Sequence, residues 1–180
     1  MPEVIGSTQH CVLVGLMGAG KTTVGVALSS RLRWTFRDSD DDILASTGLT
    51  VRELGERDGV AAMHALEADT LLTALAAPGP TIIGAAASVV DDEACRRALA
   101  DPRCLVVWLR AGPELLARRF ASSDAHRPDF GGPPEAVLAD QLLARGPSLA
   151  TVADVVIDVD ILTPDDIAAR VAEALASIGP

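Results

Sequence analysis

The chain has 180 residues and a net charge of −10; 49% of the residues are hydrophobic and only 3% aromatic. That length suits one domain with a sizeable core, and the apolar content excludes intrinsic disorder. The acidic balance, with its arginines scattered along the chain, argues against a nucleic-acid partner, because a polyanion is repelled unless a basic stripe offsets the field.

His10 closes an N-terminal segment that reads as flexible, and Cys11-Val12-Leu13-Val14 is the first strand candidate. It leads into Gly15-Leu16-Met17-Gly18-Ala19-Gly20-Lys21-Thr22, after which residues 22–32 carry a helical pattern. Strand, glycine loop and helix in that order form the context of a P-loop. Small residues at Gly15, Gly18, Ala19 and Gly20 let the backbone wrap a phosphate chain with its N–H groups aimed at the oxygens. Lys21 reaches the terminal phosphates, the Thr22 hydroxyl ligates Mg²⁺, and Thr23 completes the set at the helix start. Lys21 is the only lysine in the sequence. These residues point to binding of a nucleoside triphosphate.

A second strand is expected at residues 35–37, followed by Asp38-Ser39-Asp40-Asp41-Asp42. This acidic cluster suits a helix cap. It equally suits metal contact and general-base work, since strand C-termini line the ligand crevice of a parallel sheet. Helical stretches at 51–55 and 60–75 come next, the latter carrying His64 and Glu67. Strand 81–83, helix 91–99, strand 105–109 and helix 113–120 follow. Residues 121–134 are rich in glycine, proline and serine and include Arg127; they read as a mobile lid. Helix 135–143, strand 155–157 and helix 164–178 complete the chain. Strands separated by helices imply right-handed crossovers and a parallel sheet covered on both faces. Trp34 and Trp108 read as core residues. Cys11, Cys95 and Cys104, odd in number and widely spaced, read as small buried hydrophobes rather than a disulfide or metal site.

Several of these residues together resemble the shikimate kinase family, over roughly residues 11–175. The specific matches are Phe36-Arg37-Asp38-Ser39-Asp40, Ile43, Thr47-Gly48-Leu49-Thr50-Val51, Asp58-Gly59, Glu67, Arg127-Pro128, Arg145-Gly146-Pro147 and Pro164. The resemblance implies an α/β P-loop NTPase, with a nucleoside-monophosphate-kinase-like five-stranded parallel sheet and helices on both faces. It implies a single domain spanning 1–180, with an acceptor-binding subdomain at about 38–75 and a lid at about 121–134. ATP is the implied nucleotide. Thr22 and, through water, Asp38 would hold Mg²⁺, and Arg119 and Pro164 would sandwich adenine. Lys21, Asp40 and Arg127 would be catalytic. Asp40 would take the acceptor proton, and Arg127 would close over the transferring phosphoryl group. Asp40, His64, Gly84, Ala85, Ala86 and Arg145 fall on acceptor positions.

The acceptor half departs from the family pattern. His64 stands where an arginine clamps the shikimate carboxylate, and a histidine offers neither a permanent charge nor a bidentate fork. A glycine run is replaced by Gly84-Ala85-Ala86-Ala87-Ser88, Val60 stands in place of a glutamate and Leu149 in place of a tyrosine. His64 suits either a structural role or acceptor contact. Truncating one arm of a buried ionic clamp costs about 2–5 kcal/mol, so two coordinated changes favour an altered acceptor. The expected function is an ATP-dependent kinase of shikimate kinase type acting on shikimate or a related polyol, cyclitol, sugar acid or nucleoside. A nucleotide-binding regulatory protein without kinase activity and a gluconate-type sugar kinase are the alternatives. The expected partner is a small-molecule hydroxyl acceptor, with no nucleic acid and no membrane. No apolar run reaches the roughly 18 residues of a membrane span, and residues 1–10 lack the pattern of a signal peptide. A cytoplasmic monomer or weak dimer is therefore expected.

Overall fold

A run such as Cys11-Val12-Leu13-Val14 has no polar face, which suits a strand covered on both sides. In the computed structural model, which describes residues 8–122 and 131–178, this run lies in β1 (His10–Val14), buried throughout. Its sheet also contains β2 (Thr35–Asp38), β3 (Thr81–Gly84), β4 (Cys104–Arg110) and β5 (Val155–Asp158), in the order β2-β3-β1-β4-β5. Every pairing is parallel, with Leu13 in register with Gly84 on one side and Val107 on the other.

The helices are α1 (Lys21–Leu32), α2 (Ser39–Thr47), α3 (Val51–Asp58), α4 (Val60–Ala76), α5 (Glu93–Leu99), α6 (Pro113–Ala121), α7 (Pro134–Val152) and α8 (Pro164–Ser177). Two cores result, one on each face of the sheet. Val24 and Leu28 of α1 meet Ile167, Val171 and Leu175 of α8 on one face. Leu71 and Ala74 of α4 meet Cys95 and Leu99 of α5 on the other. Gly25 lets α1 lie close to β2, since a Cβ there would stand 2.1 Å from the Phe36 ring.

The five expected strands are present, and Trp34 and Trp108 are buried. The cysteines are all free; burial pushes the Cys11 thiol up to about 12, which leaves it protonated and inert. As one reading of the acidic cluster expected, Asp38 caps a helix, α2, accepting the Asp40 N–H at 3.0 Å. Three expectations change. Helix α7 does not stop at 143 but runs through Gly146 and Pro147 to Val152. Buried Leu138 and Leu149 anchor it on both sides of that pair, and Leu143, whose carbonyl loses the Pro147 N–H, is 78% exposed to solvent. Residues 87–91 form a separate 3₁₀ turn, and Asp92 caps α5. His10 is no flexible residue: it opens the middle strand, pairs with Thr81 and Cys104, and is 2% exposed. His126, Arg127 and Pro128 lie outside the described residues. No helix among the described residues is long and apolar enough to cross a membrane.

Candidate active site

In a parallel sheet the C-terminal strand ends share one edge, and ligands bind where neighbouring connections diverge. A cavity of about 520 Å³ opens there, lined by the glycine loop after β1, the ends of β2 and β3, and faces of α4, α6, α7 and α8. That volume accommodates small ligands.

The loop backbone demands glycine. Gly15, Gly18 and Gly20 have φ of 146°, 86° and 95°. A Cβ on Gly15 would stand 2.6 Å from the Leu109 carbonyl oxygen. Gly20 opens α1, so the helix N-terminus faces the cavity beside Ala19, Thr22 and Thr23. The Lys21 ammonium arches over the loop, donating to the carbonyls of Gly15 at 2.8 Å and Leu16 at 3.2 Å. Arg119 of α6 donates to the Gly18 carbonyl at 3.1 Å, and Pro164, the first residue of α8, lines the same end.

The end of β2 supplies Asp38. Its Oδ2 accepts from the Thr22 hydroxyl at 2.6 Å, and its Oδ1 accepts from the backbone N–H of Asp40. Asp40 thereby stands on the first turn of α2, at the cavity wall. Thr22 and Asp38 offer hard oxygen donors side by side. That set fits Mg²⁺, which keeps several waters and binds through one or two carboxylates plus substrate phosphates.

At the opposite end, α4 presents His64 and, one turn on, Glu67. Glu67 is 7% exposed and accepts a short hydrogen bond from the Ser88 hydroxyl. Burial raises its carboxyl above the usual range; the Asp40 charge adds to the rise, while the Ser88 bond, Arg145 and Lys21 oppose it. Burial lowers the His64 imidazole below its usual value, the Arg145 charge lowers it further, and Asp91 works against both. Arg145, on the unexpected second half of α7, donates from Nε to Asp91 at 2.8 Å. Gly84 ends β3, Ala85 extends the ladder through its N–H to the Leu13 carbonyl at 3.0 Å, and Ala86 follows, half-buried. Ala85 itself is buried in the core below the cavity.

The structure thus brings the site residues expected from the sequence to one cavity, except Gly15, which lies behind the wall and supports the loop, and Arg127, which lies outside the described residues. Sequence reasoning missed Ser88 and Asp91 as members of the acceptor end, and gave Glu67 no role there. Glu67 carried one local signal, its i,i+3 spacing from His64; the other two carried none.

A sequence model described as shikimate kinase matches residues 17–176. The shikimate kinase of Thermobifida fusca is 36% identical over 176 residues, covering 97% of this chain and 99% of the relative. Among solved structures, a shikimate kinase from Acinetobacter baumannii in complex with shikimate superposes with a TM-score of 0.87 at 30% identity, covering 94% of each chain. A gluconokinase from Sinorhizobium meliloti, with a TM-score of 0.56 at 19% identity over 97% of this chain and 95% of that one, shares the fold alone.

Proposed function

The chain belongs to the shikimate kinase family and is an ATP-dependent phosphotransferase with an alcohol group as acceptor; on that premise we propose how its residues divide the reaction. The observation that carries the reading is the hydrogen-bonded run Thr22–Asp38–Asp40, which ties the phosphate loop to a carboxylate at the cavity wall.

The loop N–H groups and Lys21 hold the ATP phosphates, with Arg119 and Pro164 on either side of the adenine. Thr22 and Asp38 hold Mg²⁺, which when bound neutralises charge on the phosphate oxygens. Asp40 orients the acceptor hydroxyl and accepts its proton as the oxygen bonds to the γ-phosphorus. The bond from that phosphorus to the bridging oxygen breaks, and ADP leaves with the electron pair. Arg127 completes the charge stabilisation. His64, Gly84, Ala85, Ala86 and Arg145 form the acceptor end, which takes a compact hydroxylated ring of which shikimate, held by the Acinetobacter baumannii relative, is the reference. Free cysteines suit a cytoplasmic location.

Replacing the base tests the reading. Asp40→Asn keeps the shape and removes the proton acceptor. Acceptor-dependent ADP release, measured with a coupled assay, should fall by about 10²–10⁴, while ATP affinity measured by calorimetry holds. A variant that turns over as fast as the parent would remove Asp40 from the chemistry.

A further inference from the structure

The 3₁₀ turn at residues 87–91 is fixed to the core before it reaches the acceptor end. Val89 and Val90 are buried, Arg96 Nη1 donates to the Val90 carbonyl at 2.8 Å, and Asp92 caps α5 directly behind the turn. Side chains three apart eclipse in such a turn, which sets Ser88 and Asp91 on one side of it. Ser88 donates to Glu67 of α4, and the Asp91 carboxylate accepts from Nε of Arg145 on α7 at 2.8 Å. One short turn thus ties together the two helices that flank the acceptor end.

Arg145 lines the cavity and Asp91 does not, so the carboxylate reaches the guanidinium from outside. The arginine side chain is 16% exposed and the aspartate 48%. Among the described residues Arg145 makes no other side-chain hydrogen bond. Its Nε–H is engaged, and the terminal N–H groups of the fork remain for a ligand. An arginine without a partner samples many rotamers, and a ligand that must order it loses affinity. A planar fork held at Nε is already aligned for bidentate contact with a carboxylate. The Asp91 charge works the other way, weakening the pull of Arg145 on an anion. At a half-exposed carboxylate solvent screens that opposition, so the gain in order outweighs it. A pair of this exposure also contributes little to stability, which separates orientation from folding.

Resting on the kinase reading above, we propose that Asp91 is a positioning residue: from the 3₁₀ turn it holds the Arg145 guanidinium by Nε, so that the terminal nitrogens meet the carboxylate of a ring acid such as shikimate. Asp91 touches no substrate and acts only through Arg145.

Steady-state kinetics with shikimate and Mg·ATP, read by coupled ADP release, test this. Asp91→Ala should raise KM for shikimate by about 3–10-fold. Its kcat and its KM for ATP should stay within about twofold of the parent, since the carboxylate contact lies away from the reacting hydroxyl and is made alike in ground and transition states. Asp91→Asn keeps an oxygen to accept the Nε–H and should recover most of the loss. In an Arg145→Met background, Asp91→Ala should leave kcat/KM for shikimate unchanged, because the two residues act as one unit. Melting temperatures of the Asp91 variants should match the parent's, which ties the change in KM to the site rather than to folding. A KM that does not rise in Asp91→Ala, or an equal penalty with Arg145 present and absent, overturns the positioning role and leaves the kinase intact. A parent that binds ATP yet releases no ADP with shikimate or any related ring acid overturns the kinase reading, and this proposal with it.

Discussion

Asp38 spends its two oxygens differently, one on the Thr22 hydroxyl and one on the Asp40 backbone. If Thr22 and Asp38 hold the metal as proposed, removing the hydroxyl while keeping the shape isolates its share. Thr22→Val should raise the Mg²⁺ concentration for half-maximal turnover by about 10–100-fold, read from a magnesium titration at saturating ATP. An unchanged titration curve would take the hydroxyl out of the metal site. Residues of this kind were legible from the chain alone because they sit in a local motif, with backbone needs at Gly15 and Gly18 that only glycine meets. The acceptor end was less legible. Ser88 finds Glu67 across 21 residues, and Asp91 finds Arg145 across 54. Neither pairing leaves a local trace. His10 misled for a related reason: its burial comes from strands β3 and β4 on either side.

Elements were read best where burial imposes a period. Four of the five strands are apolar runs, β2 (Thr-Phe-Arg-Asp) being the exception, and each of the five was expected within a residue or so of its place. The start of helix α2 was legible as a cap in the acidic cluster, a composition that helix N-termini favour through the cap and the dipole, but its extent to Thr47 was not. Helix α7 was cut short because Gly146-Pro147 has the look of a stop, while burial of Leu149 beyond it keeps the chain helical. The contact of α1 with β2 yields an element-scale prediction. In Gly25→Ala the gain in helix propensity, about 1 kcal/mol, competes with a methyl driven into the Phe36 ring. Overpacking costs about 1–3 kcal/mol, so thermal unfolding should move to lower temperature. Adding Phe36→Leu should recover part of the loss in a double-mutant cycle. Simple additivity of the two changes would mean that the helix and strand do not press on each other at this point.

Over the whole molecule, two kinds of buried titratable group pull stability in opposite directions with pH. Glu67 is raised in the fold, so its contribution is fully present below the ordinary carboxylate value of 4.5 and is lost as pH rises through its folded value. His10 and His64 are lowered, so theirs are present above 6.5 and are lost as pH falls through their folded values. Glu67→Gln keeps an acceptor for Ser88 without the charge. Its melting temperature should exceed the parent's above the carboxylate range, and the two curves should converge near pH 4. A constant offset across that range would show that Glu67 does not carry its proton differently in the fold. The double bond made by Asp38 has a further consequence. It sets the separation between the phosphate loop and the proposed base by two hydrogen bonds rather than by the packing of the helices around them. Changes confined to α4 and the turn after β3 would alter the acceptor end while leaving both of those bonds, and the spacing they fix, in place.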